Sequence, residues 1–312
     1  MRILVADADS LGNDIDWSAY EAYGEIIKYG SIRDQDLNDK LQDIDVLIVN
    51  KTRVNESTIG KANALKLVCI TATGTDNLDK EYLEKKKIAW RNVAGYSTES
   101  VAQHTFAMLF YLLEHLHYYD SYVKQGNYIN DKMFTHFDRT FPQLAELTYG
   151  IIGLGAIGSR VAEIATAFGA HVIFYSPSGS KRDTLYEQVS LEELLKRSDI
   201  VSVHAPLTDR TRGLMNREAF QKMKSSAILI NVGRGPIVRE QDLLEALESG
   251  EIQAAGLDVL EVEPMSENNP LIKIQDSSKL LITPHIAWAS KGARKRLMEY
   301  VLQNIKDFFD EN

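Results

Sequence analysis

Three residues in the second half of the chain carry side chains suited to anion binding and proton transfer: Arg234, Glu263 and His285. Each follows an apolar run, in "ILINVGRG", "LDVLEVEP" and "LLITPHIAW" respectively. A guanidinium keeps its charge wherever it is placed, so an arginine at the end of a buried strand needs an anionic partner. We expect Arg234 to meet the carboxylate of a small acid.

These residue types together suit hydride transfer to or from a 2-keto acid. A guanidinium binds the substrate carboxylate and polarises the keto group, and a histidine can give or take the proton near neutral pH. A carboxylate beside the histidine stabilises the imidazolium and fixes its orientation. We therefore predict that Arg234 binds substrate, that His285 is the acid/base and that Glu263 is its partner. Taken singly, each also fits an internal ion pair, a packed histidine or a solvated turn.

The middle of the chain contains a glycine-rich turn with the spacing of a dinucleotide site. In "GIIGLGAIGSRVAEIATAFGAHVIFYS", Gly153, Gly155 and Gly158 lie between an apolar strand and a helix that leads to another strand. The glycines allow a tight turn, close approach of a pyrophosphate and close packing of helix on strand. The free N–H groups of Ala156 and Ile157, in the first helical turn, would face the anion.

The end of the second strand leaves the choice of dinucleotide open. NAD sites place an acidic residue there to hold the ribose hydroxyls, and this chain has Ser176 instead. The hydroxyls of Ser176, Ser178 and Ser180, followed by Lys181 and Arg182, could accept a 2′-phosphate, and the same residues could form an ordinary polar loop. We expect NAD or NADP as the cofactor.

The hydrophobic pattern predicts an α/β fold. Short apolar runs alternate with amphipathic stretches, which favours parallel sheets covered on both faces. The series restarts near residue 97, where "STES" begins a long apolar helix, "VAQHTFAMLFYLLEHLHYY". We expect residues 118–145 to form an exposed arm, a lid or a subunit contact, and a last helix to run from about Gly292 to Phe309. Strands are predicted in "RILVAD", "DVLIVN", "LKLVCITA", "KIAWRNV", "YGIIGLG", "AHVIFYS", "DIVSVHAP", "AILINV", "AAGLDVL" and "LLITPHI".

Composition narrows the class of protein. The chain has 312 residues, which predicts two domains, and a net charge of −9, which disfavours nucleic acid and anionic membranes as partners. The N-terminal run predicts a strand and not a signal peptide, and no apolar run approaches the ~20 residues of a membrane span.

Cys69, in "LKLVCITA", is interpreted as a buried strand residue. No residues have metal-ligand spacing, and we expect a cytoplasmic protein.

At this point the sequence resembles a known family, the D-isomer-specific 2-hydroxyacid dehydrogenases. The resemblance implies two Rossmann-like, doubly wound parallel-sheet domains, with the cofactor domain inserted into a split substrate domain. It places the substrate domain at 1–97 and 286–312 and the dinucleotide domain at 98–285. The motifs that carry the resemblance, in order, are "GTDNLD", "NVAGYSTESVAQHT", "GIIGLGAIG", "HAPLTDRTRGL", "NVGRGPIV", "GLDVLEVEP" and "TPHIAW".

The resemblance also implies roles for individual residues. Arg234, His285 and Glu263 match the substrate-binding arginine, the acid/base and its partner, and the backbone at Thr73 and Gly74 matches the loop that holds the substrate carboxylate. Asp258 is expected to accept a hydrogen bond from the nicotinamide carboxamide. The remaining cofactor contacts implied by the match are Gly153, Gly155, Ala156, Ile157, Gly158, Ser176, His204, Pro206, Thr211, Val232, Gly233, Arg234 and His285.

Several alternatives stay open from the sequence. Relatives of this fold include dinucleotide-sensing corepressors and formate or phosphite dehydrogenases, although formate enzymes carry a glutamine where Glu263 stands. We expect a small or medium 2-keto acid as substrate, with hydroxypyruvate as the first to test. Trp288 is expected to shape the substrate pocket or to pack between domains. His104, His115 and His117 are interpreted as structural, and the arm predicts a homodimer.

Overall fold

The computed structural model describes residues 1–180 and 184–311 and divides the chain into two compact units. The first unit comprises Met1–Ser97 and Ala289–Asn312, and the second comprises Thr98–Trp288. The second boundary therefore lies three residues beyond the expected 285. Residues 286–288 stay with the second unit because the N–H groups of Ile286 and Ala287 both donate to the buried carboxylate of Asp258.

The first unit is built on a parallel sheet whose strands run in the order β2-β1-β3-β4-β5. Strands β3 and β4 are completely buried apolar runs and β1 is buried after Arg2, whereas β2 is an edge strand and only half buried. Such continuous apolar strands require cover on both faces. The strands are β1 (Arg2–Val5), β2 (Glu25–Lys28), β3 (Val46–Val49), β4 (Leu67–Ile70) and β5 (Ala89–Arg91).

The second unit has a larger parallel sheet, in the order β12-β11-β10-β9-β6-β7-β8. The chain enters at the centre, runs outward through β7 and β8, and then returns to build the other half from β9 to β12. The order therefore reverses between β6 and β9, which is where open α/β sheets bind ligands. The strands are β6 (Thr148–Ile152), β7 (His171–Tyr175), β8 (Glu187–Gln188), β9 (Ile200–Val203), β10 (Ile228–Asn231), β11 (Ala254–Leu257) and β12 (Leu280–Ile282).

Helices cover these sheets. Two of them meet the sequence-based expectations closely: a helix starts at Thr98 within "STES", and the last helix spans Lys291–Asp310. The helices are α1 (Ser18–Glu21), α2 (Asp34–Leu37), α3 (Glu56–Ile59), α4 (Lys80–Lys86), α5 (Thr98–Leu113), α6 (Leu116–Lys124), α7 (Ala156–Ala167), α8 (Leu191–Arg197), α9 (Arg217–Lys222), α10 (Glu240–Ser249) and α11 (Lys291–Asp310).

The predicted long helix after residue 97 is wrong in one respect, because it is two helices. His115 adopts a left-handed backbone conformation with φ of 53°, and this ends α5 and redirects the chain into α6. The apolar pattern continues across the break, so periodicity alone did not show it. An α-helix cannot include a left-handed residue without losing its hydrogen-bond ladder.

All ten predicted strands are confirmed, and the fold class is α/β as expected. The two strands that the sequence did not predict, β2 and β8, are short edge strands with exposed residues, so they lack the apolar run that marks a buried strand. Cys69 lies buried in β4, and burial raises the pKa of its thiol to about 12. Over the described residues, no helix is both long and apolar enough to span a bilayer.

Candidate active site

The candidate site residues of the second unit follow neighbouring strands of its sheet. Because the strands are parallel, their carboxyl ends share one edge, and neighbouring strands are about 4.8 Å apart, so β12 to β7 covers about 24 Å of that edge. His285 follows β12, Glu263 follows β11, Arg234 follows β10, His204 follows β9 and Ser176 follows β7. The predicted proton-transfer group therefore stands at one end of the edge and the predicted ribose-selecting residue near the other.

His285 and Glu263 form a direct hydrogen bond. The Nδ1 atom of His285 lies 2.7 Å from Oε2 of Glu263, and both side chains remain partly exposed, at 24% and 32%. A carboxylate only accepts, so Nδ1 carries a proton and Nε2 is left to exchange a proton with a substrate. The predicted acid/base and its predicted partner are thus brought together.

The turn that carries Glu263 is anchored by two carboxylates, that of Glu263 itself and the buried one of Glu240. Oε1 of Glu263 accepts the N–H of Leu260, at 3.0 Å. Glu240, at the start of α10, accepts the N–H of Glu261 at 2.7 Å and the amide of Asn269 at 2.8 Å. Burial raises the pKa of Glu240. No local sequence pattern indicates this anchor, because Glu240 is 21 residues from the turn that it holds.

The Gly-Arg-Gly turn brings Arg234 against the Glu263 turn. A Cβ on Gly235 would lie 1.8 Å from the carbonyl oxygen of Leu260, so only glycine permits this approach. Arg234 is partly buried, and its guanidinium donates to the carbonyl oxygen of Gly233 at 2.9 Å. Val232, which ends the apolar run before the turn, is buried. The turn therefore fixes Arg234 beside the loop that follows β11.

The glycine-rich turn fits a pyrophosphate. Gly153 has φ of 93°, and a Cβ there would lie 2.9 Å from the backbone of Ala205. A Cβ on Gly158 would lie 2.1 Å from the carbonyl oxygen of Gly153, so α7 packs directly on the turn. A Cβ on Gly155 would meet nothing within 4 Å and would occupy the open space in front of the helix. The first-turn N–H groups of Ala156 and Ile157 have no acceptor within α7, as at any helix start.

A cavity of about 560 Å³ opens at this turn, where the strand order reverses. At its outer end the hydroxyl of Ser176 lies 3.1 Å from that of Ser178, which lies 2.8 Å from that of Ser180. Arg210 donates to the carbonyl oxygen of Ser178 at 3.2 Å. The predicted contributions of Lys181 and Arg182 fall outside the described residues. The cavity is lined in part by Gly155, Ser176, His204, Pro206, Arg210 and Thr211.

Thr211 and His204, two predicted cofactor contacts, line this cavity. Thr211 is buried, and its hydroxyl donates to the carbonyl oxygen of Pro206 at 2.7 Å while accepting the N–H of Thr208 at 2.8 Å. His204 binds Ser202 through Nε2 at 2.9 Å, and burial lowers the pKa of His204 to about 3. With this pKa His204 is neutral at pH 7.

Asp258 has a structural role that the sequence did not predict, because it binds the loop of His285. Its carboxylate is 1% exposed and accepts hydrogen bonds from Thr283, Ile286 and Ala287, all in the loop that carries His285. The carboxylate thus holds this loop in place. The expected contact with the nicotinamide carboxamide stays a prediction.

His104 on α5 was interpreted as structural, and both it and Ser100 reach the same loop. Nε2 of His104 lies 3.0 Å from the hydroxyl of Thr283, and the hydroxyl of Ser100 donates to the carbonyl oxygen of Ala287 at 2.7 Å. Trp288, which was expected to shape a pocket or an interface, packs on the hydrophobic cluster of the second unit. No local sequence signal links α5 to a loop some 180 residues away.

The predicted carboxylate-binding loop belongs to the first unit. The hydroxyl of Thr73 donates to the carbonyl oxygen of Val93 at 2.9 Å, and Asn92 donates to the carbonyl oxygen of Thr73 at 2.7 Å. These bonds fix the backbone that leads into Gly74 after β4. Among the described residues, no group of His, Cys, Asp and Glu side chains is arranged to hold a metal ion.

Comparison with known proteins identifies the family. Residues 106–287 match the family model described as "D-isomer specific 2-hydroxyacid dehydrogenase, NAD binding domain". A hydroxypyruvate reductase of Blautia hydrogenotrophica is 35% identical, over 99% of this chain and 97% of the relative. A glycerate dehydrogenase of Methylorubrum extorquens is 36% identical, over 88% of this chain and 85% of the relative.

A solved structure supports the same assignment. The D-lactate dehydrogenase of Aquifex aeolicus, complexed with NAD and lactic acid, superimposes with a TM-score of 0.88 at 29% identity, and the match covers 100% of this chain and 96% of the other. The family match, these relatives and the glycine-rich turn agree. The chain belongs to the D-isomer-specific 2-hydroxyacid dehydrogenases, a family of NAD(P)-dependent oxidoreductases.

Proposed function

We propose that this protein reduces a small 2-keto acid, with hydroxypyruvate first among the candidates, to the D-2-hydroxy acid. The observation that carries the proposal is the 2.7 Å hydrogen bond between His285 and Glu263 at the carboxyl edge of the second sheet. A corepressor that only senses the dinucleotide has no use for a carboxylate-supported histidine beside an arginine turn. The hydroxypyruvate reductase and glycerate dehydrogenase relatives support this substrate class.

Each proposed catalytic residue has one task. A bound NAD(P)H supplies the hydride. Arg234 binds the substrate carboxylate and polarises the keto group, so that negative charge growing on the oxygen is stabilised. His285 delivers the proton from Nε2 to that oxygen, and Glu263 stabilises the imidazolium before the transfer. The backbone at Thr73 and Gly74 is proposed to hold the carboxylate from the first unit.

We propose that the cofactor lies along the edge of the second sheet, with its pyrophosphate on the first turn of α7. The adenosine end would then meet Ser176, Ser178 and Arg210, which offer hydroxyl donors and one positive charge. A carboxylate, Asp209, lines the same cavity, so charge alone does not select a cofactor. The serine at the end of β7 nevertheless leaves room for a 2′-phosphate, and we infer that NADPH is accepted along with NADH.

We further propose that the protein is a homodimer and acts in the cytoplasm, where the reduced dinucleotide is available. The arm between α6 and β6 exposes several large apolar side chains, including Phe134 at 83% and Phe137 at 73%. An exposed apolar cluster of this kind is typical of a protein interface. The side chains that form it are Ile129, Met133, Phe134, Phe137 and Phe141.

A substrate panel tests the reaction and the role of Arg234. Purified protein with NADH or NADPH should consume the cofactor with hydroxypyruvate and glyoxylate faster than with phenylpyruvate. Arg234→Ala should lower kcat/KM by about 10²- to 10³-fold because binding and polarisation are both lost. Arg239→Ala, at an exposed arginine five residues on, is the control. Cofactor binding without turnover of any 2-keto acid would favour a sensor, and an active Arg234→Ala would remove the arginine from the mechanism.

The pH dependence of reduction tests the proposed proton donor. Reduction needs the imidazolium, so its rate falls as pH rises and the proton is lost. Glu263→Gln keeps the shape of the side chain but removes the negative charge 2.7 Å from Nδ1. The falling limb of the kcat/KM profile should therefore move to lower pH. An unmoved limb would make Glu263 structural.

Cofactor selection can be tested at Ser176. Ser176→Asp places a carboxylate where a 2′-phosphate would lie, so kcat/KM with NADPH should fall by about tenfold or more while that with NADH holds or rises. Ser190→Asp, at the helix cap of α8, is a control outside the cavity. Wild-type protein that shows no turnover with NADPH would refute the inference that both NADH and NADPH are accepted.

Sedimentation of variants tests the dimer. Wild-type protein should sediment at about twice the monomer mass at micromolar concentration, and the double variant Phe134→Ser with Phe137→Ser should shift toward monomer because it removes apolar surface from the interface. Leu185→Ser, at a fully exposed position elsewhere, should leave the mass unchanged. A monomeric wild-type protein would contradict the proposal.

A further inference from the structure

We propose that Ser100 and His104, one turn apart on α5, are positioning residues that hold the loop of His285 in the conformation needed for proton transfer. This inference rests on the proposed role of His285 as the acid/base. Neither residue touches the predicted reacting atoms. Their effect would pass through the backbone of residues 283–287.

The loop needs external support because its conformation is strained. His285 has φ of 55°, in the left-handed region that non-glycine residues rarely adopt. Within the loop, the N–H of His285 donates to the carbonyl oxygens of Asp258 and of Thr283, at 2.9 Å each. Strain of this kind persists only where the surrounding contacts enforce it.

Asp258 supplies the first support. Its carboxylate accepts the N–H of Ile286 on Oδ1 and that of Ala287 on Oδ2, at 2.9 Å each. Oδ1 also accepts the hydroxyl proton of Thr283, at 2.6 Å. The loop is therefore tied to the end of β11 on both sides of His285.

His104 joins this network as a hydrogen-bond donor. The one hydroxyl proton of Thr283 is used on Asp258, so Thr283 can only accept from Nε2 of His104, 3.0 Å away. The proton of a neutral His104 must then be on Nε2, which also lies 3.6 Å from Oδ1 of Asp258. The chain of donors runs from His104 through Thr283 to Asp258. A side chain that cannot donate at this place would break it.

Ser100 supports the far side of the loop. Its buried hydroxyl donates to the carbonyl oxygen of Ala287 at 2.7 Å. Side chains four residues apart lie on one face of a helix, so α5 presents Ser100 and His104 together to the loop. The helix thus contacts residues before and after His285, and a small shift of the imidazole would lower the rate of proton transfer.

The test compares variants that remove or keep the donor at 104. His104→Leu should lower kcat for 2-keto acid reduction by about tenfold or more, with KM for the keto acid and the Kd of NADH changed by less than about twofold. His104→Gln keeps an N–H near the position of Nε2 and should restore kcat to within about threefold. Ser100→Ala should also lower kcat with KM held. His171→Leu, at an exposed histidine of the same unit, should behave as wild type.

Running His285→Ala in parallel separates the two hypotheses. If His285→Ala keeps its turnover, the proposed function fails. If His285→Ala loses turnover while His104→Leu or Ser100→Ala keeps full kcat, the positioning role alone is wrong. Equal losses in the Leu and Gln variants, or a rise in KM and Kd that accounts for the loss, would also overturn it. Should His104→Leu fail to fold, Ser100→Ala and His104→Gln still decide.

Discussion

The hydrogen bond between Nδ1 of His285 and Glu263 is the interaction on which the proposed chemistry depends. It exists because β11 and β12 are parallel neighbours, so the turns that leave them share one edge of the sheet. The carboxylate fixes which nitrogen holds the shared proton and leaves Nε2 for the substrate. Arg234 joins the same region because Gly235 lets its turn approach Leu260. The parallel sheet thus brings the proposed catalytic side chains together.

The two histidines that follow strands of this sheet, His204 and His285, differ in burial. His204 is buried and hydrogen-bonded to an uncharged serine, so its low pKa keeps it neutral near the cofactor cavity. His285 is partly exposed and hydrogen-bonded to the carboxylate of Glu263. A histidine therefore lines the cavity at position 204, and another is the proposed proton donor at position 285.

Much of this arrangement could be predicted from the sequence because its signals are local. Buried apolar runs located the parallel strands, and glycine spacing located the tight turn at Gly153–Gly158 that begins α7. The break at His115 and the edge strands β2 and β8 were missed, since apolar periodicity does not register a left-handed residue or a half-exposed strand. The anchors at Glu240, Ser100 and His104 were missed for a different reason. Their partners are distant in the chain, and only the folded backbone brings them together.

The most direct test of this account is a crystal structure of the protein with reduced cofactor and oxamate, a non-reactive analogue of a 2-keto acid. The account predicts that Nε2 of His285 lies about 3 Å from the amide carbonyl oxygen of oxamate, which takes the place of the substrate's keto oxygen, while Nδ1 keeps its bond to Glu263. It also predicts that Arg234 contacts the carboxylate of oxamate. An imidazole turned away from the amide oxygen of oxamate, or an oxamate held without Arg234, would contradict it.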